Sequence, residues 1–177
     1  KSSGKYTCSF PNLCCGTNTD SNSYSGPTPT PVPEPEYVPV KGLYLTTSTV
    51  GSPQRLQHYV DLANRTEINA YVFDIKDDYG IICYETNVPL AVKHGTWEKK
   101  YDVKEVLRIL HDNGIRAIGR IVCFNDPTMP LKEPGLSLKN PDGSVFKVRL
   151  NNSHLAWLDP SNKEAWQYLI DIAKEAS

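Results

Sequence analysis

Four charged side chains, Asp74, Lys76, Asp77 and Asp78, crowd the end of one apolar run, Asn69 to Ile75. Side chains alternate between the faces of a strand, so Val72, Asp74 and Lys76 are expected on one face, an acid and a base projecting together. A carboxylate so placed can move a proton, attack a carbon or accept hydrogen bonds from hydroxyls. Asp74 is the candidate catalytic carboxylate, and Lys76 and Asp77 are candidate substrate-binding groups. Aspartate is equally a turn former, and Asp78, within Lys76-Asp77-Asp78-Tyr79-Gly80, reads mainly as one.

Arg120 shares a strand face with Ile118, Val122 and Phe124, where an apolar residue would be expected. Taking a charge out of water is costly unless it is paired. Arg120 should therefore meet Asp74 on the neighbouring strand, orient a substrate hydroxyl, or do both. Asn125 and Asp126 follow at the mouth of the same strand, and Asn125 is a further candidate substrate-binding residue. Trp157 offers a flat apolar face of the type sugars stack on. Asp159 stands where a strand gives way to a helix, suited as well to capping as to ligand contact.

The elements that must position these groups alternate. Val38 to Thr46 is β-prone. Ser52-Pro53 marks a helix start, followed by an apolar stripe of Leu56, Tyr59, Val60 and Ala63. After the Asn69–Ile75 strand comes a short extended piece, Ile81 to Glu85. Asp102 with Glu105 opens a second helix carrying Val103, Val106, Leu107 and Leu110, and Gly114 stops it. Ile115 to Phe124 is a third strand. A long connection, residues 125–153, contains Asn140-Pro141-Asp142-Gly143, a turn signal for a small hairpin. Asp159-Pro160 is expected to cap a last helix with Trp166, Leu169, Ile170 and Ala173 on one face. This order predicts a parallel α/β sheet with right-handed crossovers, whose chemistry gathers at the carboxyl ends of the strands.

Residues 1–37 read as a disordered, Ser- and Pro-rich segment, with proline at alternate positions from 27 to 35, and 38–177 as the folded domain. Such a composition favours a semi-rigid polyproline II spacer. Cys8 can bridge to Cys14 or Cys15 in an oxidising compartment, while Cys83 and Cys123 lie in apolar runs and are expected as buried thiols. No cysteine or histidine spacing suits a metal, and no phosphate-binding glycine motif occurs, so neither metal nor cofactor is expected. A formal net charge of −1 argues against general nucleic-acid binding, and no apolar run is long enough to span a membrane. The sequons at Asn64 and Asn151 are too common by chance to carry weight.

Taken together, these segments resemble a bacterial family of glycoside-hydrolase-like barrels long labelled a domain of unknown function. VKGLYLTTSTVGSPQRL, INAYVFDIKDDYGIICYETNVPLA, HDNGIRAIGRIVCFNDP and LAWLDPSNKEAWQYLIDIAKEA carry the resemblance across residues 40–177. It implies a (β/α)8 TIM barrel, here a partial one of about three βα units with a long loop after the third strand. By motif match, Asp74, Lys76, Arg120, Trp157 and Asp159 would line its active-site end. The family continues into a strand with a FDYVRFP-like motif, whose acid would be the second carboxylate that glycoside hydrolysis generally needs. The expectation is an extracellular or envelope-anchored bacterial protein acting on polysaccharide or oligosaccharide, with the present fragment inactive alone and prone to self-association through open sheet edges. A non-catalytic glycan-binding envelope protein is the alternative.

Overall fold

The structure, a computed structural model, describes residues 38–150 and 153–177, and the side chains outside 150–154. The expected spacer, the pairing of Cys8, Cys14 and Cys15, and Asn151 lie outside the described residues. Residues Val38–Ser177 form one compact unit. Its centre is a parallel sheet in the order β1 (Gly42–Leu45), β2 (Ala70–Lys76), β3 (Arg116–Ile121). Gly42 pairs with Ala70 and Ala70 with Arg116, so the strands start level and their carboxyl ends form one rim. This is the mixed α/β architecture, with a partial (β/α)8 barrel, that the alternation of elements predicts.

One face of the sheet is covered. Leu45, Tyr71, Phe73 and Ile75 point into a core filled by Leu56, Val60 and Ala63 of α2 (Pro53–Asn64) and Val106 and Leu110 of α4 (Val103–Asp112). The short α1 (Thr47–Val50) follows β1 directly, and α3 (Pro89–His94) is a short helix with no clear periodic signal in the sequence. The predicted N-cap of α4 is formed: Asp102 Oδ1 accepts from the Lys104 and Glu105 amides at 3.1 and 3.2 Å. Glu105 pairs with Arg108 instead of reaching back to complete the box. Ser52 occupies the N-cap of α2 without a side-chain bond, and Pro53 supplies the preset φ.

Three expectations need correction. The last helix, α6 (Lys163–Glu175), is capped by Asn162, whose side chain accepts from the Glu164 amide; Asp159 caps the turn before it, at Ser161. Its buried face is Ala165, Tyr168, Leu169 and Ile172, one position back from the expected stripe, leaving Trp166 and Ile170 largely exposed. Both stripes satisfy the same helical period, and only the packing partner selects between them. Cys83 is buried and free as expected, whereas Cys123 is exposed, because β3 ends at Ile121 and the chain has left the core by then.

The long connection contains more order than one turn. Gly143 donates to Asn140 O at 2.9 Å and closes the predicted hairpin, bridged between Lys139 and Val145. It also holds α5 (Met129–Lys132), a 3-10 turn at Pro134–Leu136, and an antiparallel pair, β4 (Lys147–Leu150) with β5 (Ser153–Ala156). Among the described residues no helix is long and apolar enough to cross a membrane.

Candidate functional site

The uncovered face of the sheet carries the predicted polar residues. Register aligns Tyr44 with Val72 and Asp74 with Arg120, so Tyr44, Asp74 and Arg120 stand on one face near the carboxyl rim. Arg120 Nε lies 2.8 Å from Asp74 Oδ1, which is the ion pair the sequence suggests. The N–H is not aimed along that contact, so the pair is held by charge and proximity, not by a well-directed hydrogen bond. Tyr44 donates its phenol to the other oxygen, Asp74 Oδ2, at 2.6 Å, and the Arg120 guanidinium sits 5.4 Å from the centre of the Tyr44 ring. Arg120 also donates from Nη2 to Asp78 Oδ2 at 2.9 Å. One guanidinium edge that could grip a single carboxylate in two places is thus divided between two.

The electrostatics follow from these contacts. The Tyr44 phenol is pushed up to about 12, first by its hydrogen bond to Asp74, then by burial and by the charge of Asp74. Burial works against the charge of Arg120, but Asp74, Asp78 and Tyr44 outweigh it and hold its pKa above the ordinary value. Asp74, on the central strand, is 4% exposed, whereas the Arg120 side chain, on the outer strand β3, is 37% exposed. Arg120, placed by its sequence where an apolar residue would be expected, is thus half-open and not buried.

Asp74 and Lys76 do not share a face. The register shifts between them, so that Asp74 pairs with Arg120 but Lys76 pairs with Ile121. This bulge inserts one residue and turns Lys76 to the other side. There its ammonium is fully buried, 3.0 Å from Asp126 Oδ2 and 2.8 Å from Val122 O. Asp77 is also committed: Oδ1 accepts from the Tyr79 and Ile81 amides and Oδ2 from Lys100 at 2.7 Å. These two residues build the turn after β2 and leave no free group for a ligand.

The remaining candidates stand around the third strand. Asn125 bridges Trp157 through the backbone, and both are partly covered, with Asn125 Oδ1 and Trp157 Nε1 buried and, among the described residues, without hydrogen-bond partners. Asp159 Oδ1 accepts from the amide and hydroxyl of Ser161 at 2.8 and 2.7 Å. The geometry therefore gathers Asp74 and Arg120 and adds two residues that the sequence reading did not assign to the site, Tyr44 and Asp78. The signal for Tyr44 was its alternation with the apolar Leu43 and Leu45. The pairing of Asp78 carries no local signal, since it depends on a partner 42 residues away. A cavity of about 420 Å³ lies elsewhere, between α3 and α6, and none of these strand-end groups lines it. Among the described residues, no cluster of three metal-ligating side chains occurs.

A family model described as "Putative glycosyl hydrolase domain" matches residues 42–177. No curated protein matches the chain. Among solved structures, a hypothetical protein from Ruminiclostridium thermocellum ATCC 27405 is 57% identical, with a TM-score of 0.71 over 76% of this chain and 69% of that one. An α-galactosidase from Thermus thermophilus, solved in complex with p-nitrophenyl α-D-galactopyranoside, is 16% identical, with a TM-score of 0.57 over 78% of this chain and 28% of its own. The chitobiase of Flavobacterium johnsoniae is 18% identical, with a TM-score of 0.55 over 77% and 21%. At such identities the last two speak for the barrel fold alone, and the chain spans less than a third of each. The match that runs from β1 to the last residue, together with the 57% identity, shows that the chain belongs to the family of this glycosyl hydrolase domain.

Proposed function

We propose that the chain forms the sugar-facing part of a glycoside hydrolase acting on a cell-envelope or extracellular polysaccharide, with Asp74 as one of two working carboxylates. The observation that carries this reading is the pair of groups around Asp74 at the strand rim, the Tyr44 phenol on one oxygen and the Arg120 guanidinium against the other. A phenol donor on one oxygen and a guanidinium cation against the other suit Asp74 to the role of nucleophile or stabiliser of an oxocarbenium-like centre. The proton for the leaving group then comes from a second carboxylate on barrel strands beyond the three described. The envelope or extracellular location rests on the spacer-like prolines of residues 27–35.

In the full-length protein, Asp74→Asn is expected to lower glycan hydrolysis about 100-fold or more with the circular dichroism spectrum retained. Undiminished hydrolysis would remove Asp74 from the chemistry. A second reading, glycan binding without cleavage, is favoured by one observation: Asp74 is nearly covered, and the groups open to a ligand, Tyr44 and Arg120, are binding groups. Equal glycan retention by the wild type and Asp74→Asn, with hydrolysis by neither, would select it.

A further inference from the structure

The turn that follows β2 displays one large side chain. Tyr79 is 71% exposed, and among the described residues its phenol has no hydrogen-bond partner. Every other part of this turn is fastened. The Tyr79 amide donates to Asp77 Oδ1 at 2.9 Å, and the Tyr79 carbonyl accepts from Thr128 Oγ1 at 2.7 Å. Asp77 is tied to Lys100, and Asp78 to Arg120. Gly80 has a φ of 77° and packs so closely on Asp126 that any side chain there would collide with the carboxylate. Asp126 is itself fixed by the Thr128 and Met129 amides and by Lys76. An aromatic ring is therefore held out into solvent on a pinned backbone, next to the residue that bonds Arg120.

We propose that Tyr79, next in sequence to the Asp78 that bonds Arg120, is the stacking platform for a neutral pyranose ring. This rests on the carbohydrate-acting reading above and narrows its substrate class. The physical case has two parts. A ring on an immobilised backbone loses little entropy on binding, with only two side-chain torsions left to order, and it presents an apolar face to solvent. A sugar matches that surface, since its axial C–H groups form an apolar face and its hydroxyls reach outward to donors and acceptors such as Arg120 and Asp78. The charge at the rim sets the class. Among the described residues, Asp74 and Asp78 oppose the one cation that pairs with them, Arg120, leaving one net negative charge, while Lys76 and Lys100 are committed to Asp126 and Asp77. A uronate carboxylate would meet repulsion there, and a neutral ring would not.

The test is isothermal calorimetry on the full chain with cellohexaose, chitohexaose and hexagalacturonate as probes. Binding of a neutral hexasaccharide is expected, weakened about tenfold or more by Tyr79→Ala and kept within a few-fold by Tyr79→Trp, as for other aromatic anchors. The melting temperatures of both variants should match the wild type, since the ring is exposed. Equal affinity in Tyr79→Ala would overturn the platform and leave the carbohydrate reading intact, as would loss in Tyr79→Trp equal to that in Tyr79→Ala. Stronger binding of hexagalacturonate than of either neutral probe would overturn the substrate class. Failure of the wild type to bind any probe, with Arg120→Ala indistinguishable from it, would count against the underlying reading itself and the platform with it. Should Tyr79→Ala melt early, ring-carbon NMR shifts of Tyr79 in the wild type decide the matter: no change on saturation with the bound sugar overturns the platform.

Discussion

Asp74 organises the open face of the sheet through two neighbours, and each makes a measurable demand on it. Replacing Arg120 by Leu leaves a nearly covered carboxylate facing an apolar side chain. Because the site is half open and screened, the expected cost is about 1 kcal/mol, well below that of a fully buried pair, read from urea denaturation. Tyr44 gives a second prediction, in pH. Its folded-state pKa of about 12 lies above the free value of 10.0, so the neutral phenol is favoured by folding. That contribution is fully present below pH 10 and is lost as pH rises through about 12. Carbon-13 NMR of the Tyr44 ring should follow this titration, and Asp74→Asn should bring it back towards 10 by removing its largest cause. A midpoint unaffected by Asp74→Asn would mean that burial alone lifts it.

At the scale of elements, the bulge at the end of β2 does the sorting. It sends Asp74 to the open face and Lys76 to the buried side, where Lys76 holds Asp126 and so supports the turn from beneath. Gly80 is the residue this turn cannot exchange. Gly80→Ala combines a left-handed backbone with a collision against Asp126, and a loss of about 2 to 3 kcal/mol is expected in chemical unfolding. Helix α6 is anchored differently, at its last turn. Glu175 accepts from Tyr84 Oη at 2.9 Å, from the Asn87 amide at 2.6 Å and from the Thr86 hydroxyl. Glu175→Ala should cost about 1 kcal/mol and speed amide hydrogen exchange in α6 more than in α2. Equal acceleration in both helices would show that the contact supports the whole core, not this element.

Helices pack on one side of the sheet among the described residues, while on the other Tyr44 and Arg120 are open to solvent around a covered Asp74. Among the described residues both outer strands, β1 and β3, have one unpaired edge, and Tyr44, Trp166 and Ile170 are substantially exposed. Parallel sheets are normally covered on both faces, and free edges template further pairing. The 177-residue chain is accordingly expected to self-associate, with an apparent size in analytical ultracentrifugation that grows with concentration. A single monomeric species with a sharp, reversible melt would contradict this.

Much of the architecture was legible locally. The three parallel strands, helices α2 and α4 with their caps, and the Asn140–Gly143 turn follow from periodicity and from residues such as Pro53, Asp102 and Gly143, because each of those signals acts within a few positions. The Asp74–Arg120 pair was legible too, since two charged residues on facing apolar strands have few other partners. What the tertiary structure decided is which side each group faces and which partner it keeps. The bulge after Asp74 overrode the alternation that joined it to Lys76, and the surroundings of α6 chose one of two equivalent helical stripes. Asp78 joined the site through an arginine far along the chain. Side-chain type and spacing thus determined the elements and the chemistry available at their ends. Pairing between distant strands and loops determined which of those groups stand at the open rim, because a contact across tens of residues leaves no periodic trace in the sequence.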